Sequence, residues 1–292
     1  MNNYKELKVE EVYKKQNAFN EISLVGELLF WKESLNINGS KNNAIFARPT
    51  KHTNWLPQQL TSNFFCIKSS FHGYGGRSYQ CFKTKSEIYY IVWIDQLTGS
   101  LWAQKFQLNK SLDNIVQFPY LIAKEDPRQI SKASNGNFDA SFVLFNERLL
   151  FGLLEINNRD YLFSIFLDKK TQDLKIIKKF DNFAGSLSSN LGGRILSWIE
   201  WGSEFMPWEN NNLFFAEINS KGEIKKIKTF NKLQISDSTI ISFFQPYWLS
   251  QSVLVCSEDS SGWWNLIFFE VKNLENIIIK NKIRKKYFDY GL

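Results

Sequence analysis

Between residues 20 and 280 the chain alternates short apolar runs with polar turns, and the runs fall into groups. The first group holds SLVGELLFWKES at 23–34, a polar loop NINGSKNN, AIFARP at 44–49 and PQQLT at 57–61. The second holds RSYQCFKT, EIYYIVWID, LWAQKFQL and NIVQF within 77–118. NFDASFVLF, RLLFGLLEI, YLFSIFLD and LKIIKKF follow within 137–180. A fourth group ends in EIKKIKTF at 223–230, and ISFFQPYW, SVLVCSED, WWNLIFFEV and NIIIK close the series within 241–280. Each run is rich in Phe, Trp, Tyr, Val or Ile, which suit a pleated, buried surface, while long stretches with helical spacing are scarce. Turn residues separate the second run from the third: Asp95-Gln96-Leu97-Thr98-Gly99, Asn157-Asn158-Arg159-Asp160 and Ser260-Ser261-Gly262.

The group repeats at roughly 45–50 residues, the range expected of four-stranded propeller blades. A sandwich would also give many short strands, but a regular four-strand period favours blades. A blade buries both faces against its neighbours, which accounts for continuous apolar runs such as Leu149–Leu154 and Phe268–Val271. The expectation is therefore an all-β chain, a β-propeller of about five four-stranded blades at approximately 20–62, 75–118, 137–180, 183–230 and 241–280, forming either a complete or an incomplete ring. Residues 1–19 read as an arm or short helix, with Leu7, Val9, Val12 and Tyr13 at helical spacing. The polar stretch 123–135 reads as a crossing between blades, and 281–292 as a basic tail and an interrupted inter-blade connection.

One stretch stands out. Residues 194–201 form a strand carrying Trp198 and Trp201, and a second strand resumes at Leu213. The loop between them opens with Gly202 and Ser203, contains Pro207, and ends in Asn210-Asn211-Asn212, all turn chemistry. Yet its middle is Phe205, Met206, Pro207 and Trp208. Large apolar side chains on a loop are either buried against something or offered to something.

Composition narrows the possibilities. Aromatic residues make up 16% of the 292, with 26 Phe and 10 Trp, far too many for a disordered chain. No apolar run reaches the roughly 18 residues of a membrane helix, and the charged N-terminus MNNYKELKVEEVYKKQ has no secretory core, so a cytoplasmic, membrane-free protein is expected. Cys66, Cys81 and Cys256 are isolated, reading as buried small thiols. With only His52 and His72, a zinc site built from several histidines is excluded, and no metal or cofactor is expected. The formal charge is +7. The basic residues are scattered and no nucleic-acid motif accompanies them, so no nucleic-acid partner is expected.

Three stretches then carry a family resemblance. Trp201 to Leu213, with Met206-Pro207-Trp208 before an acid, resembles the WDHPNMPWDGTELW signature, although Gly202, Ser203 and Glu204 replace its Asp-His-Pro. FHGYGGRSY at 71–79 resembles HEYGGGAY. Gly73, Gly75 and Gly76 permit positive φ or close approach around Tyr74, and Gly73 and Arg77 depart from the pattern. FQPYWLSQSVLVCSEDSSGWWNLIFFE at 244–270 resembles FQPxWSPDGxLxFVSDRTGWWNLY, with Gln245, Pro246, Trp248, Ser257, Gly262, Trp263, Trp264, Asn265 and Leu266 in register. These motifs mark the N-terminal β-propeller of prolyl-oligopeptidase-family serine peptidases, on the acylaminoacyl peptidase and dipeptidyl aminopeptidase branch. Adjacent Trp263 and Trp264 are expected on opposite faces of one strand, buried against the neighbouring blades.

In that family a Ser-Asp-His triad sits on a C-terminal α/β-hydrolase domain, with the serine in a Gly-x-Ser-x-Gly elbow. Gly76-Arg77-Ser78-Tyr79-Gln80 lacks the final glycine, and both histidines precede Ser78, whereas the fold's order is serine, acid, histidine. The resemblance thus implies a non-catalytic propeller, truncated before the hydrolase and inactive alone. One alternative is completion in trans by a hydrolase chain to give an active aminopeptidase or acylaminoacyl peptidase. Another is an independent protein- or sugar-binding propeller. In intact relatives the propeller caps the active site and screens peptide substrates by size, so peptides or a hydrolase domain are the implied partners. Carried over by position, Tyr74 and Arg77 in the glycine-rich loop, and Phe205, Met206 and Trp208 in the apolar loop, are candidates for substrate gating or inter-domain contact. Glu200, Glu204 and Glu209 read as solvated loop acids, KIRKK at 282–286 as a solvated tail, and open blade edges as sites of self-association.

Overall fold

A computed structural model describes residues 18–37, 40–51, 56–109, 120–237 and 240–283. Most of the expected arm and tail, the run NIVQF, and His52 lie outside them. The described residues build five antiparallel sheets, each following chain order. The first holds β1 (Ala18–Val25), β2 (Leu28–Ile37), β3 (Ser40–Pro49) and β4 (Gln58–Gln59). β5 (Tyr79–Lys83), β6 (Ile88–Asp95), β7 (Ser100–Leu108) and β8 (Leu121–Ala123) make the second, where β9 (Arg128–Gln129) also pairs with β7. The third is β10 (Asn137–Phe145), β11 (Leu149–Ile156), β12 (Arg159–Phe166) and β13 (Lys175–Lys179). The fourth is β14 (Phe183–Ser189), β15 (Ile195–Trp201), β16 (Asn212–Ile218) and β17 (Ile224–Thr229). The fifth is β18 (Phe243–Trp248), β19 (Val253–Glu258), β20 (Asn265–Val271) and β21 (Ile277–Ile283). This is a propeller of about five blades.

Local chemistry explains the hairpins. Asn157 and Asn158 take φ of 51° and 57°, the doubly left-handed turn whose twist matches the flanking strands, and Ile156 pairs directly with Arg159. Within NINGSKNN, expected as a loop, residues 36–37 and 40–43 instead extend the ladder: β2 and β3 pair from Leu28 with Pro49 to Ile37 with Ser40. Asparagine is depleted in strands. Here the Asn42 amide donates to the Asn63 carbonyl, and Ser34 donates to Asn43. The stretch 123–135 does more than cross between blades. Arg128 donates to the carbonyls of Leu167 and Lys169, and Ser131 bridges Gln172, tying the second blade to the third.

The apolar cores sit between blades. One cluster joins the first blade to the second through Phe30, Ile45, Tyr89 and Trp93. Val92, Phe138, Phe142 and Phe163 join the second to the third. Phe151, Leu162, Trp198 and Ala216 join the third to the fourth, and Phe215, Phe230, Phe243 and Phe269 the fourth to the fifth. Leu149 to Leu154 are all buried because alternate side chains enter two different seams.

Polar stitches accompany each core. The backbone N–H of Ser78 donates to Glu21 (2.6 Å), that of Arg77 to Asp139 (2.9 Å), that of Ala184 to Asp160 (2.7 Å), and that of Phe243 to Asn211 (2.9 Å). A side chain of one blade thus satisfies an N–H at or just before the start of another blade's first strand, where the ladder has no partner to offer. Removing a buried acceptor of this kind costs about 1–3 kcal/mol.

Candidate functional site

The first strands of the five blades stand around one central cavity of about 1240 Å³, lined from Leu24 on β1 to Trp248 on β18. β1 neighbours β5, β5 neighbours β10, β10 neighbours β14 and β14 neighbours β18. Four of these strands bulge, β1 between Asn20 and Ser23 and, along the cavity, the others between Asp139 and Val143, Gly185 and Ser188, and Phe244 and Tyr247. Glu21, Ser186 and Gln245 hold positive φ at three of the bulges. A bulge bends its strand and re-aims side chains, which here places Ser186 and Gln245 in the cavity lining and turns Glu21 to Ser78.

The glycine-rich loop forms part of that lining with Tyr74, Gly75, Gly76 and Arg77. Its glycines answer specific crowding. Gly75 has φ of 101°, and a Cβ on Gly76 would lie 2.7 Å from the Asp139 carboxylate. Ser69 pins the loop by accepting from the N–H groups of Phe71 and Gly76 while donating to the Phe138 carbonyl. The Tyr74 side chain is exposed, and Arg77 is also exposed, with one long contact to Gln80. Burial, then Asp160 and Glu155, push the Tyr74 hydroxyl above its usual pKa.

The residue that ties this loop to the rest of the site is His72, which in the sequence counts only as one of two histidines, too few for zinc and both ahead of Ser78. Its backbone adopts φ of 52°, and its N–H donates to Glu155. Its ring nitrogen lies 2.8 Å from Asp160, whose same oxygen accepts from Ala184. The imidazole meets Phe183 and Trp201 edge-on, at centroid distances of 5.3 and 5.5 Å, and Tyr74 at 6.2 Å. His72 therefore brings the glycine-rich loop of the second blade against the base of the apolar loop in the fourth. Its sequence signal was its place directly before Gly73-Tyr74-Gly75-Gly76; its partner lies 88 residues away.

The apolar loop is anchored below and exposed above. The Asn211 amide donates to the carbonyls of Pro207 and Phe243. Lys232 donates to Asn210, and Glu209 accepts from the Met206 N–H. Pro207 lines the cavity, whereas Met206 is 51% and Trp208 59% exposed, with Phe205 less so. Glu200 is not a solvated loop acid. It is buried on β15, where Trp198 donates to it at 2.7 Å, and burial raises its pKa. Asp139 behaves alike: burial raises its pKa against the opposing bonds from Ser141 and Arg77.

The third motif divides. Gln245, Pro246 and Trp248 line the cavity, and the Trp248 indole donates to Ser197. Trp263 and Trp264 do not occupy opposite faces of a strand. Gly262, at φ of 80°, opens the turn, and β20 begins only at Asn265, whose amide donates to the Trp263 carbonyl and to Ser261. Trp263 is accordingly 47% exposed, while Trp264 is half-buried beside Phe244. Cys66, Cys81 and Cys256 are free thiols, the last two buried. Among the described residues, no cluster of His, Cys, Asp and Glu is placed to hold a metal, and no helix is long and apolar enough to cross a membrane.

No family profile and no curated protein matches the chain. Solved structures do. A puromycin-hydrolyzing peptidase from Mycobacterium tuberculosis is similar over 90% of this chain and 38% of its own, at 17% identity and a TM-score of 0.67. A puromycin hydrolase is similar over 94% of this chain and 40% of its own, at 15% identity and a TM-score of 0.71. Oligopeptidase B from Leishmania major is similar over 88% and 33%, at 9% identity and 0.51. The fold of this chain is thus that of the propeller region of prolyl-oligopeptidase-family peptidases, and the chain spans about 40% of the length of the first structures it matches.

Proposed function

We propose that this chain serves as the non-catalytic, access-controlling propeller of a prolyl-oligopeptidase-type serine peptidase. The hydrolase domain would stand on the same polypeptide or on another. The observation that carries this reading is the cavity shared by five blades, with Tyr74, Arg77 and Pro207 in its lining and Met206 and Trp208 exposed on the same loop as Pro207. A cavity of about 1240 Å³ would hold a short extended peptide and is too small to enclose a folded domain. Tyr74 and Arg77 would contact the entering peptide, while Phe205, Met206 and Trp208 would contact the hydrolase. The finer assignment is an acylaminoacyl or dipeptidyl aminopeptidase acting on peptides in the cytoplasm. Incubated with peptide p-nitroanilides, the purified chain should give no turnover. Hydrolysis abolished by a fluorophosphonate would overturn the non-catalytic role.

A second reading, completion in trans by another chain, is favoured by the fifth blade. Its face turned from the fourth blade carries half-buried Phe244, Val255, Leu266 and Phe268 and an exposed Tyr247, in contrast to the sealed seams elsewhere. Co-expression with a hydrolase-bearing chain should give one peak on size exclusion; separate elution counts against it.

A further inference from the structure

The outermost strands of the third, fourth and fifth blades share a composition that neither the cavity nor the peptidase reading uses. β13 reads KIIKK, β17 IKKIKT and β21 IIIKNKI: eight lysines and no acid. The three strands adjoin on the perimeter. Lys175 at the start of β13 reaches Glu223 in the turn before β17, and Lys226 and Lys228 on β17 reach Glu275 before β21. Lys225 reaches Glu217 on the adjoining β16, so three acids neighbour these eight lysines, and the outermost strands themselves contain none and keep a basic excess. Each strand also exposes an isoleucine, Ile176, Ile227 and Ile278. The outer strands of the other two blades, Gln58–Gln59 and Leu121–Ala123, contain no lysine.

Lysine on an edge discourages strand pairing, but that role is already filled. Each strand carries a one-residue register shift against its neighbour, between the partners of Leu162 and Phe163, Glu217 and Ile218, and Phe268 and Phe269. A bulge blunts an edge without any charge. Nor does edge protection call for an exposed isoleucine in every strand. A nucleic acid would favour aromatic side chains for stacking and arginine for phosphate, and these strands contain neither.

We propose that the outer wall of these three blades docks an acidic segment of a partner protein that also carries apolar side chains, with the lysines steering its carboxylates and the isoleucines contacting its apolar groups. The probe is a short labelled peptide alternating Glu and Leu, with polyglutamate and duplex DNA of equal charge as competitors, read by anisotropy. The peptide should bind, weaken with added salt, and lose at least about tenfold in affinity when Lys179→Glu, Lys228→Glu and Lys280→Glu are combined. Polyglutamate should compete less well than the peptide. Should the reversed variant fail to fold, judged by thermal unfolding, the Lys→Gln set at the same positions replaces it, with a smaller loss expected. Absence of binding, binding indifferent to the substitutions, equal competition by polyglutamate, or tighter binding of DNA would each overturn the proposal.

Discussion

The two loops that meet around His72 were built to opposite specifications. The glycine-rich loop is pinned along its length: Ser69 holds its turn, Asp139 accepts from Arg77, and Glu155 and Asp160 fix His72. The apolar loop is held at its base by Asn211 and Lys232, and its middle is left exposed at Met206 and Trp208. The first spends buried polar bonds to define the cavity wall; the second keeps apolar surface uncovered. An anchored loop suits a lining that must keep its shape, and an exposed apolar loop suits a surface completed by something else.

Substitutions can test this contrast, and the largest effect belongs to the anchored loop. Asp160→Ala removes the acceptor of both the Ala184 N–H and the His72 ring from a fully buried place, and at about 1–3 kcal/mol for each orphaned donor should cost about 3–5 kcal/mol in urea unfolding. A loss below 1 kcal/mol, about that of an ordinary surface change, would mean that His72 does not hold the two loops together. Asn211→Ala strips the apolar loop of its base and leaves the Phe243 N–H unpaired, with an expected cost of about 2–3 kcal/mol by the same measurement.

A pH comparison sharpens the picture at the same base. Burial lowers the Lys232 amine from 10.5 to about 8, only partly offset by Asp259. Below about 8 the folded chain must keep a desolvated ammonium, whereas the unfolded chain holds its proton up to 10.5. Between those values the unfolded state binds more protons, so stability rises with pH. The stability difference between the parent chain and Lys232→Met should therefore change across that window and level off above it; a flat difference would show that the amine is solvated. Smallest of all is Met206→Ser combined with Trp208→Ser, expected to cost about 1–2 kcal/mol because roughly half of each side chain is already in water. The same pair should weaken co-elution with a hydrolase-bearing chain if the loop docks there.

Particular residues show how far the linear pattern could be read. Asn157-Asn158 announced its hairpin because two adjacent asparagines tolerate positive φ. Leu149–Leu154 announced a strand buried on both faces, and Trp198 a core position. Tyr74 and Arg77, carried over from the family resemblance, and Pro207 of the apolar loop line the cavity, whereas Phe205, Met206 and Trp208 are not part of its lining. Trp263 lies outside the sheet although its sequence has strand character, because the Gly262 turn and the Asn265 amide delay the strand by two residues. NINGSKNN misled because composition does not show that Asn42 and Asn43 find partners. His72 could not be placed at all without knowing that Asp160 faces it.

What the order of amino acids determined is what depends on near neighbours: strand character, the four-strand period, the turns, and which loops carry unusual residues. These follow from side-chain shape and from backbone freedom within a few positions. Tertiary structure alone decided the stitches from Glu21 to Ser78 and from Asp139 to Arg77, the joining of two loops by one histidine, and the alignment of three lysine-rich strands on one wall. The stitches and the histidine depend on a buried donor meeting a partner dozens of residues away, and the lysine wall on exposed ion pairs between neighbouring blades. Only the packing of one blade on the next sets that distance.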